Sequence, residues 1–184
     1  MKQLRNTLTP LSAEKTILYP TDTVWGIGCD ATSVNAVKKV FKLKNREESK
    51  SLIVLVSSVS MLKKYVSVPK IALDILNKAQ KPTTIIYNNP KGIAENIINK
   101  EDNTLAIRIV QDDFCRKLIK RFGKPIVSTS ANRSGQPTPN SFSEIDNAIL
   151  TSVDYVVNLH KEKITTKSST ILKLEGDNVI TIRE

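Results

Sequence analysis

Small hydroxyls and one acid lie close in sequence to fixed cations. Thr21-Asp22-Thr23 follows Pro20, and Lys44, Arg46 and Lys50 come soon after. Further on, Ser128-Thr129-Ser130-Ala131-Asn132-Arg133-Ser134-Gly135 supplies four hydroxyls and an amide within seven residues. Arginine carries a planar fork that matches phosphate oxygens, and lysine a mobile point charge. Alternate residues of an extended segment point to one side, so Lys44 and Arg46 are expected to converge on one anion. The hydroxyls and the amide offer both donors and acceptors. Together these groups suit an anionic, polyhydroxylated ligand. Each piece also has a plain structural reading. Lys-x-Arg serves as a solvated loop, the Ser/Thr run as a turn or helix cap, and Thr-Asp-Thr as a turn after proline. On the functional reading, Thr21-Asp22-Thr23 borders a small-molecule pocket with Trp25 as one wall. Arg108 ends an apolar strand, where a guanidinium is costly unless it meets a carboxylate or phosphate.

Several chemistries are disfavoured. There is no GxxxxGK[ST], and Gly26-Ile27-Gly28 is followed by Cys29-Asp30-Ala31, so a dinucleotide fingerprint fails at its third glycine. Any phosphate is therefore expected to be held by side chains and turn amides. Cys29 and Cys115 are the only cysteines and His160 the only histidine, without metal-ligand spacing, so no zinc is expected. The cysteines read as small buried hydrophobes, and His160 as a surface residue. A net charge of +10 favours an anionic partner such as a nucleotide or RNA. The basic residues are spread along the chain and form no tail.

These groups must be positioned by a framework. Thr16–Tyr19 reads as a strand stopped by Pro20. Thr32 or Ser33 caps a helix whose Val34, Val37 and Phe41 recur at helical spacing, fading near Leu43. Leu52–Val56 is a continuous apolar run, as in a strand covered on both faces. Met61–Tyr65 and Ile71–Ala79 read as short helices, Thr83–Tyr87 and Leu105–Ile109 as strands. Asn88-Asn89-Pro90-Lys91-Gly92 is a turn cluster. Asp112–Phe122 is a helix ended by Gly123. Pro125–Ser128 is a strand running into the hydroxyl-rich segment, where ligand crevices form in α/β sheets. Val153–Val157 is a strand, and Ser169–Leu174 with Val179–Arg183 a hairpin around Glu175-Gly176-Asp177-Asn178. Interleaved helices and strands closed by a hairpin predict an α/β fold with a mixed sheet.

With 184 residues and 40% apolar content, the chain fits a single domain over residues 1–184. No apolar run approaches the roughly 18–20 residues of a membrane span. The basic N-terminus lacks the apolar region of a signal peptide, so a cytoplasmic address is expected.

The motifs in this order resemble the YrdC/TsaC family, the threonylcarbamoyl-adenylate synthases, in its short single-domain form. The matching pieces are Tyr19 through Asp30, Lys44-Asn45-Arg46 with Lys50, Leu52-Ile53-Val54, Arg108, Ser128-Thr129-Ser130-Ala131-Asn132 with Ser134-Gly135, Ser169-Thr170 and Arg183. Val110 stands where the family often has proline, Lys81-Pro82-Thr83-Thr84 lacks a glycine often found after the proline, and Leu55 replaces a histidine of some long members.

The resemblance implies a twisted mixed α/β sheet with flanking helices around a basic concave cavity. It implies synthesis of L-threonylcarbamoyl-AMP and pyrophosphate from L-threonine, bicarbonate and ATP, with Mg2+ accompanying ATP and no zinc or organic cofactor. A partner complex then transfers the threonylcarbamoyl group to tRNA, which this chain itself could also contact. Roles carried over place Thr23, Arg108, Ser128 and Ser169 on the threonine side. Lys44, Arg46, Lys50, Ser130, Asn132, Thr138 and Arg183 fall on the ATP side, with Lys44 and Arg46 as the charge-stabilising catalytic pair; no protein ligand to the metal is assigned. One alternative is a non-catalytic RNA-binding paralogue of the same fold. Another is a carbamoyl-adenylate-forming module of hydrogenase maturation, which sits in much larger chains with zinc-finger and acylphosphatase-like parts and is not expected here.

Overall fold

The computed structural model describes residues 2–47, 52–165, 168–176 and 178–184. Helices are α1 (Lys2–Ser12), α2 (Val34–Lys44), α3 (Val59–Leu62), α4 (Lys70–Lys78), α5 (Asp113–Phe122) and α6 (Asn147–Ser152). Strands are β1 (Ile17–Tyr19), β2 (Gly26–Gly28), β3 (Ile53–Val56), β4 (Thr83–Asn88), β5 (Thr104–Ile109), β6 (Ile126–Ser130), β7 (Tyr155–Val156), β8 (Thr170–Glu175) and β9 (Asn178–Arg183). They form one nine-stranded sheet in the order β7-β1-β2-β6-β3-β5-β4-β8-β9. Pairings of β1 with β7, β3 with β5 and β4 with β8 are parallel. The others are antiparallel, so the sheet is mixed, as the interleaved pattern predicts.

Register decides which side chains share a face, because side chains alternate along a strand. Ser128 lies opposite Ile53, Ile53 opposite Ala106, and Ala106 opposite Ile86. Arg108 lies opposite Thr84, and Thr84 opposite Ile171. Gly26 lies opposite Ser130. One face therefore gathers Gly26, Ser128, Ser130 and Arg108. The other face carries Ile27, Val54, Ile85, Ile107 and Val127, all buried in the core.

Local signals set the helix ends. Ser33 caps α2 by accepting the Ala36 N–H at 3.1 Å, and Ala36, Val37, Val40 and Phe41 bury its apolar stripe. Asn45 then turns left-handed, at φ 50°, and the Arg46 N–H closes the end on the Phe41 carbonyl at 3.0 Å. Asp112 caps α5 through the Cys115 N–H, and Gly123, at φ 77°, ends it. Three elements were not foreseen: α1, α6 and the central strand β2. In β2 crowding requires glycine at position 28. A Cβ on Gly28 would stand 2.5 Å from the Val127 carbonyl oxygen and 2.7 Å from the Tyr19 ring. The closing hairpin forms with Glu175 opposite Asn178; Asp177 lies outside the described residues. Cys29 and Cys115 are buried.

The short edge strand β7 is pinned to β1 by one carboxylate. Asp154 accepts from the Thr16 N–H and from its hydroxyl, each at 2.8 Å. Burial pushes this carboxyl up, but the Thr16 donors outweigh it and hold the group below its usual range. A carboxylate with a depressed folded pKa stabilises the fold above the unfolded pKa, and the contribution fades as pH falls through the folded value. Asp154→Asn is therefore expected to lower urea-unfolding stability by about 1 kcal/mol near neutral pH, a small effect because the group is open to water. The gap from the unsubstituted protein should close below about pH 4. A gap that persists unchanged at acid pH would refute the role of the charge.

Candidate functional site

The polar face of the sheet opens into a cavity of about 340 Å³. Thr23, Arg46, Arg108, Ser128, Ser130, Thr138, Ser169 and Arg183 all border it. Trp25 forms part of the wall, as expected, and packs at a tilt against Phe142, with ring centroids 4.9 Å apart. Three arginines line the cavity, and no carboxylate does among the described residues. Gly26 keeps the floor low: a Cβ there would meet the Ser128 hydroxyl at 3.1 Å and the Thr21 methyl at 3.3 Å.

Arg108 finds the partner that its position demands. Its Nη2 lies 3.0 Å from Asp22 Oδ1, with the side chains 3% and 6% exposed. The other Asp22 oxygen accepts the Gln111 N–H at 3.0 Å. Asp22 is the residue that the role assignments omit; the cost of a buried strand-end guanidinium is the signal that calls for it. Arg108 Nη2 also donates to the Thr23 hydroxyl at 3.3 Å, while its Nε is buried with no hydrogen-bond partner among the described residues. Thr21 donates to the Val24 carbonyl at 2.7 Å and lies 3.0 Å from the Thr23 hydroxyl. Because the Thr21 proton is committed, Thr23 donates to Thr21 and accepts from Arg108. One lone pair of Thr23 is left for a donor in the cavity.

On the opposite rim, Arg183 donates from Nε and Nη2 to the Ser169 carbonyl at 3.1 and 2.9 Å. The Ser169 hydroxyl meets Thr84 at 2.9 Å. Burial, and then the charge of Arg108, pull the Arg183 pKa down. Burial likewise lowers that of Arg46. These guanidinium groups therefore lie in partly desolvated positions, where an arriving anion is attracted more strongly than in bulk water.

Lys44 and Arg46 do not converge as alternate residues of an extended segment. Lys44 is the last residue of α2, and the left-handed Asn45 separates the two. Lys44 turns inward: the residue is 1% exposed, and its ammonium donates to the carbonyls of Ser130 and Asn132 at 2.5 and 2.6 Å. Burial, with Arg46 nearby, pushes its pKa down to about 7, while the carbonyls favour its charged form. Arg46 turns to the cavity. Asn132 does not border this cavity: half-buried, it lines a neighbouring pocket beyond Thr138, its amide donating to the carbonyls of Arg133 and Gln136. Lys50 lies outside the described residues.

The remaining candidates have structural surroundings. His160 is half exposed at a left-handed position, 3.9 Å from Glu162. No group of three or more His, Cys, Asp or Glu among the described residues is placed to hold a metal ion. No helix among them is long and apolar enough to cross a membrane.

Known proteins share this sequence and fold. A Methanocaldococcus jannaschii protein is 38% identical over 171 residues, covering 92% of this chain and 79% of its own. The threonylcarbamoyl-AMP synthase of Pseudoalteromonas translucida is 34% identical over 154 residues, 82% of each chain. Among solved structures, P. abyssi Sua5 complexed with L-threonine superposes with a TM-score of 0.89 at 25% identity. That match takes in 98% of this chain and 53% of the Sua5 chain, so the present chain spans about half the length of that relative. The family pattern described as Sua5/yciO/yrdC, telomere recombination, matches residues 10–184. With nearly its whole length inside that pattern, and with relatives above 30% identity, the chain belongs to the Sua5/YciO/YrdC family.

Proposed function

We propose that this protein is a threonylcarbamoyl-AMP synthase, a nucleotidyltransferase that joins L-threonine, bicarbonate and ATP and releases pyrophosphate. The observation that carries the reading is the single cavity in which three arginines face an array of hydroxyls with no opposing carboxylate among the described residues. The synthase names of relatives at 34–36% identity point the same way.

In this reading the threonine amine adds to bicarbonate, with loss of water, to give an N-carboxylate. A carboxylate oxygen attacks the α-phosphorus, the bond to the β-phosphate oxygen breaks, and pyrophosphate leaves with the electron pair. No covalent enzyme intermediate is needed. The protein's part is to orient two anionic reactants and to offset their mutual repulsion, and orientation alone can be worth roughly 7–11 kcal/mol. Arg108, Thr23, Ser128 and Ser169 take the amino-acid side; Arg46, Arg183, Ser130 and Thr138 take the nucleotide side. Mg2+ would enter on the phosphates of ATP as part of that substrate, since among the described residues no carboxylate lines the cavity to hold it. The reading treats residues 1–184 as one domain working in the cytoplasm, with its product passed to a complex that modifies tRNA.

Incubation with ATP, L-threonine and bicarbonate should release pyrophosphate only when all three are present. Release that ignores threonine would remove the proposal. Affinity for tRNA with no binding of ATP would select the RNA-binding paralogue, which the +10 charge alone also fits.

A further inference from the structure

The loop that follows β6 is closed on itself by two residues of the Lys-x-Arg and Ser-x-Asn motifs. Lys44 Nζ meets three oxygens: the carbonyls of Ser130 and Asn132 at 2.5 and 2.6 Å, and Asn132 Oδ1 at 3.5 Å. The two carbonyls take the short bonds of the ammonium, and the Asn132 side-chain oxygen stands at the outer limit of a third. The Lys44 carbonyl in turn accepts the Ser134 N–H at 2.8 Å. One residue thus grips the loop at both ends.

Asn132 is committed in the same way. Its Oδ1 accepts the Ser130 hydroxyl at 2.5 Å, and its two amide donors go to the carbonyls of Arg133 and Gln136 at 3.1 and 2.6 Å. Turning the amide over would aim its N–H groups at the Lys44 ammonium and its oxygen at two carbonyls, so this orientation is fixed by its neighbours. With its proton given to Asn132, Ser130 faces the cavity as an acceptor. A phosphate oxygen has no proton to offer such a group; a ribose hydroxyl has.

We propose that Lys44 and Asn132 are positioning residues that lock residues 130–136 so that Ser130 meets the nucleoside, while the phosphates fall to Arg46. This assignment of ligand parts rests on ATP being a substrate. It explains why the cavity is lined by Ser130 and Arg46 but by neither Lys44 nor Asn132. It also gives the spacing of the two motifs a physical reason. The helix-ending turn at Asn45 sends residue 44 into the loop and residue 46 toward the cavity. Ser-x-Asn lets the amide two residues on fix the direction of the serine proton.

The test compares Lys44→Ala, Asn132→Ala, their double variant and Arg46→Ala in the full chain. In ligand-free protein, amide exchange across residues 130–136 should speed up at least about tenfold in the Lys44 and Asn132 variants and stay unchanged in the core strands. In calorimetric titration those two variants should weaken ATP and adenosine by the same factor, with the double variant no weaker than the worse single one. Arg46→Ala should weaken ATP and spare adenosine. Asn132, on the partly exposed loop, keeps the test decisive if Lys44→Ala does not fold. Unchanged loop exchange, or a loss confined to ATP in the Lys44 and Asn132 variants, overturns the proposal. If the unsubstituted protein binds no ATP, the synthase reading and the nucleoside assignment fall together, and the exchange rates still decide whether the two residues lock the loop.

Discussion

Asp22→Ala should destabilise the protein by about 3–5 kcal/mol, the range found when one member of a buried ion pair is removed. The Arg108–Asp22 contact is 3.0 Å long and almost closed to water. Without the carboxylate, the guanidinium keeps the Thr23 hydroxyl but loses its counter-charge, and its Nε already lacks a partner among the described residues. The Gln111 N–H loses its acceptor at the same time. For a chain of this length the loss corresponds to a fall in Tm of roughly 6–20 °C. Removing both charges with the double variant Asp22→Leu, Arg108→Met should cost less than Asp22→Ala alone, because no uncompensated ion is left in the interior. Thermal and urea unfolding of the variants decide the matter. A Tm for Asp22→Ala within 2 °C of the unsubstituted protein would mean that water reaches the guanidinium and that the pair has no structural weight.

That pair also shows what a sequence can and cannot reveal. The cost of a strand-end arginine is legible from Arg108 and its apolar neighbours, and it demands an anionic partner. Which anion answers is a matter of tertiary structure: Asp22 is distant in sequence, and although three strands lie between β1 and β5, the turn after β1 reaches across to the end of β5. The central strand β2 escaped notice for a different reason. Gly-Ile-Gly has low strand propensity, and Gly28 is there because the Val127 carbonyl and the Tyr19 ring leave no room for a Cβ, a tertiary constraint. Helix α1 was hidden by Pro10 within it, since proline argues against a helix interior. By contrast, α2 and α5 follow from caps and apolar spacing that are wholly local. Local geometry does not carry past the end of α2. Lys44 and Arg46 looked like neighbours on an extended segment, whereas a left-handed Asn45 sends them to different sides of the loop.

The separation of those two side chains makes Arg46→Ala the sharpest probe of the chemistry, with an expected loss of about 10²–10³-fold in the rate of threonine-dependent pyrophosphate release. That is the scale for removing one preorganised group that stabilises developing charge, about 2.7–4 kcal/mol of barrier. Arg46 lies on the cavity wall, where burial already pulls its pKa down, so its charge acts in a medium less screened than water. The end of α2 should survive the substitution. The bond that closes α2 uses the backbone N–H of Arg46, given to the Phe41 carbonyl at 3.0 Å, and alanine retains it. A stability change within about 0.5 kcal/mol is expected, as for other partly exposed sites outside the core. Arg46→Lys should recover only part of the rate, because an ammonium supplies the charge without the planar fork. Steady-state rates with ATP varied, set beside the Tm of each variant, separate the outcomes. Full activity in Arg46→Ala would place the phosphates elsewhere along the cavity. A lost rate accompanied by a lowered Tm would return Arg46 to a structural role and leave Arg108 and Arg183 as the cations that meet the nucleotide.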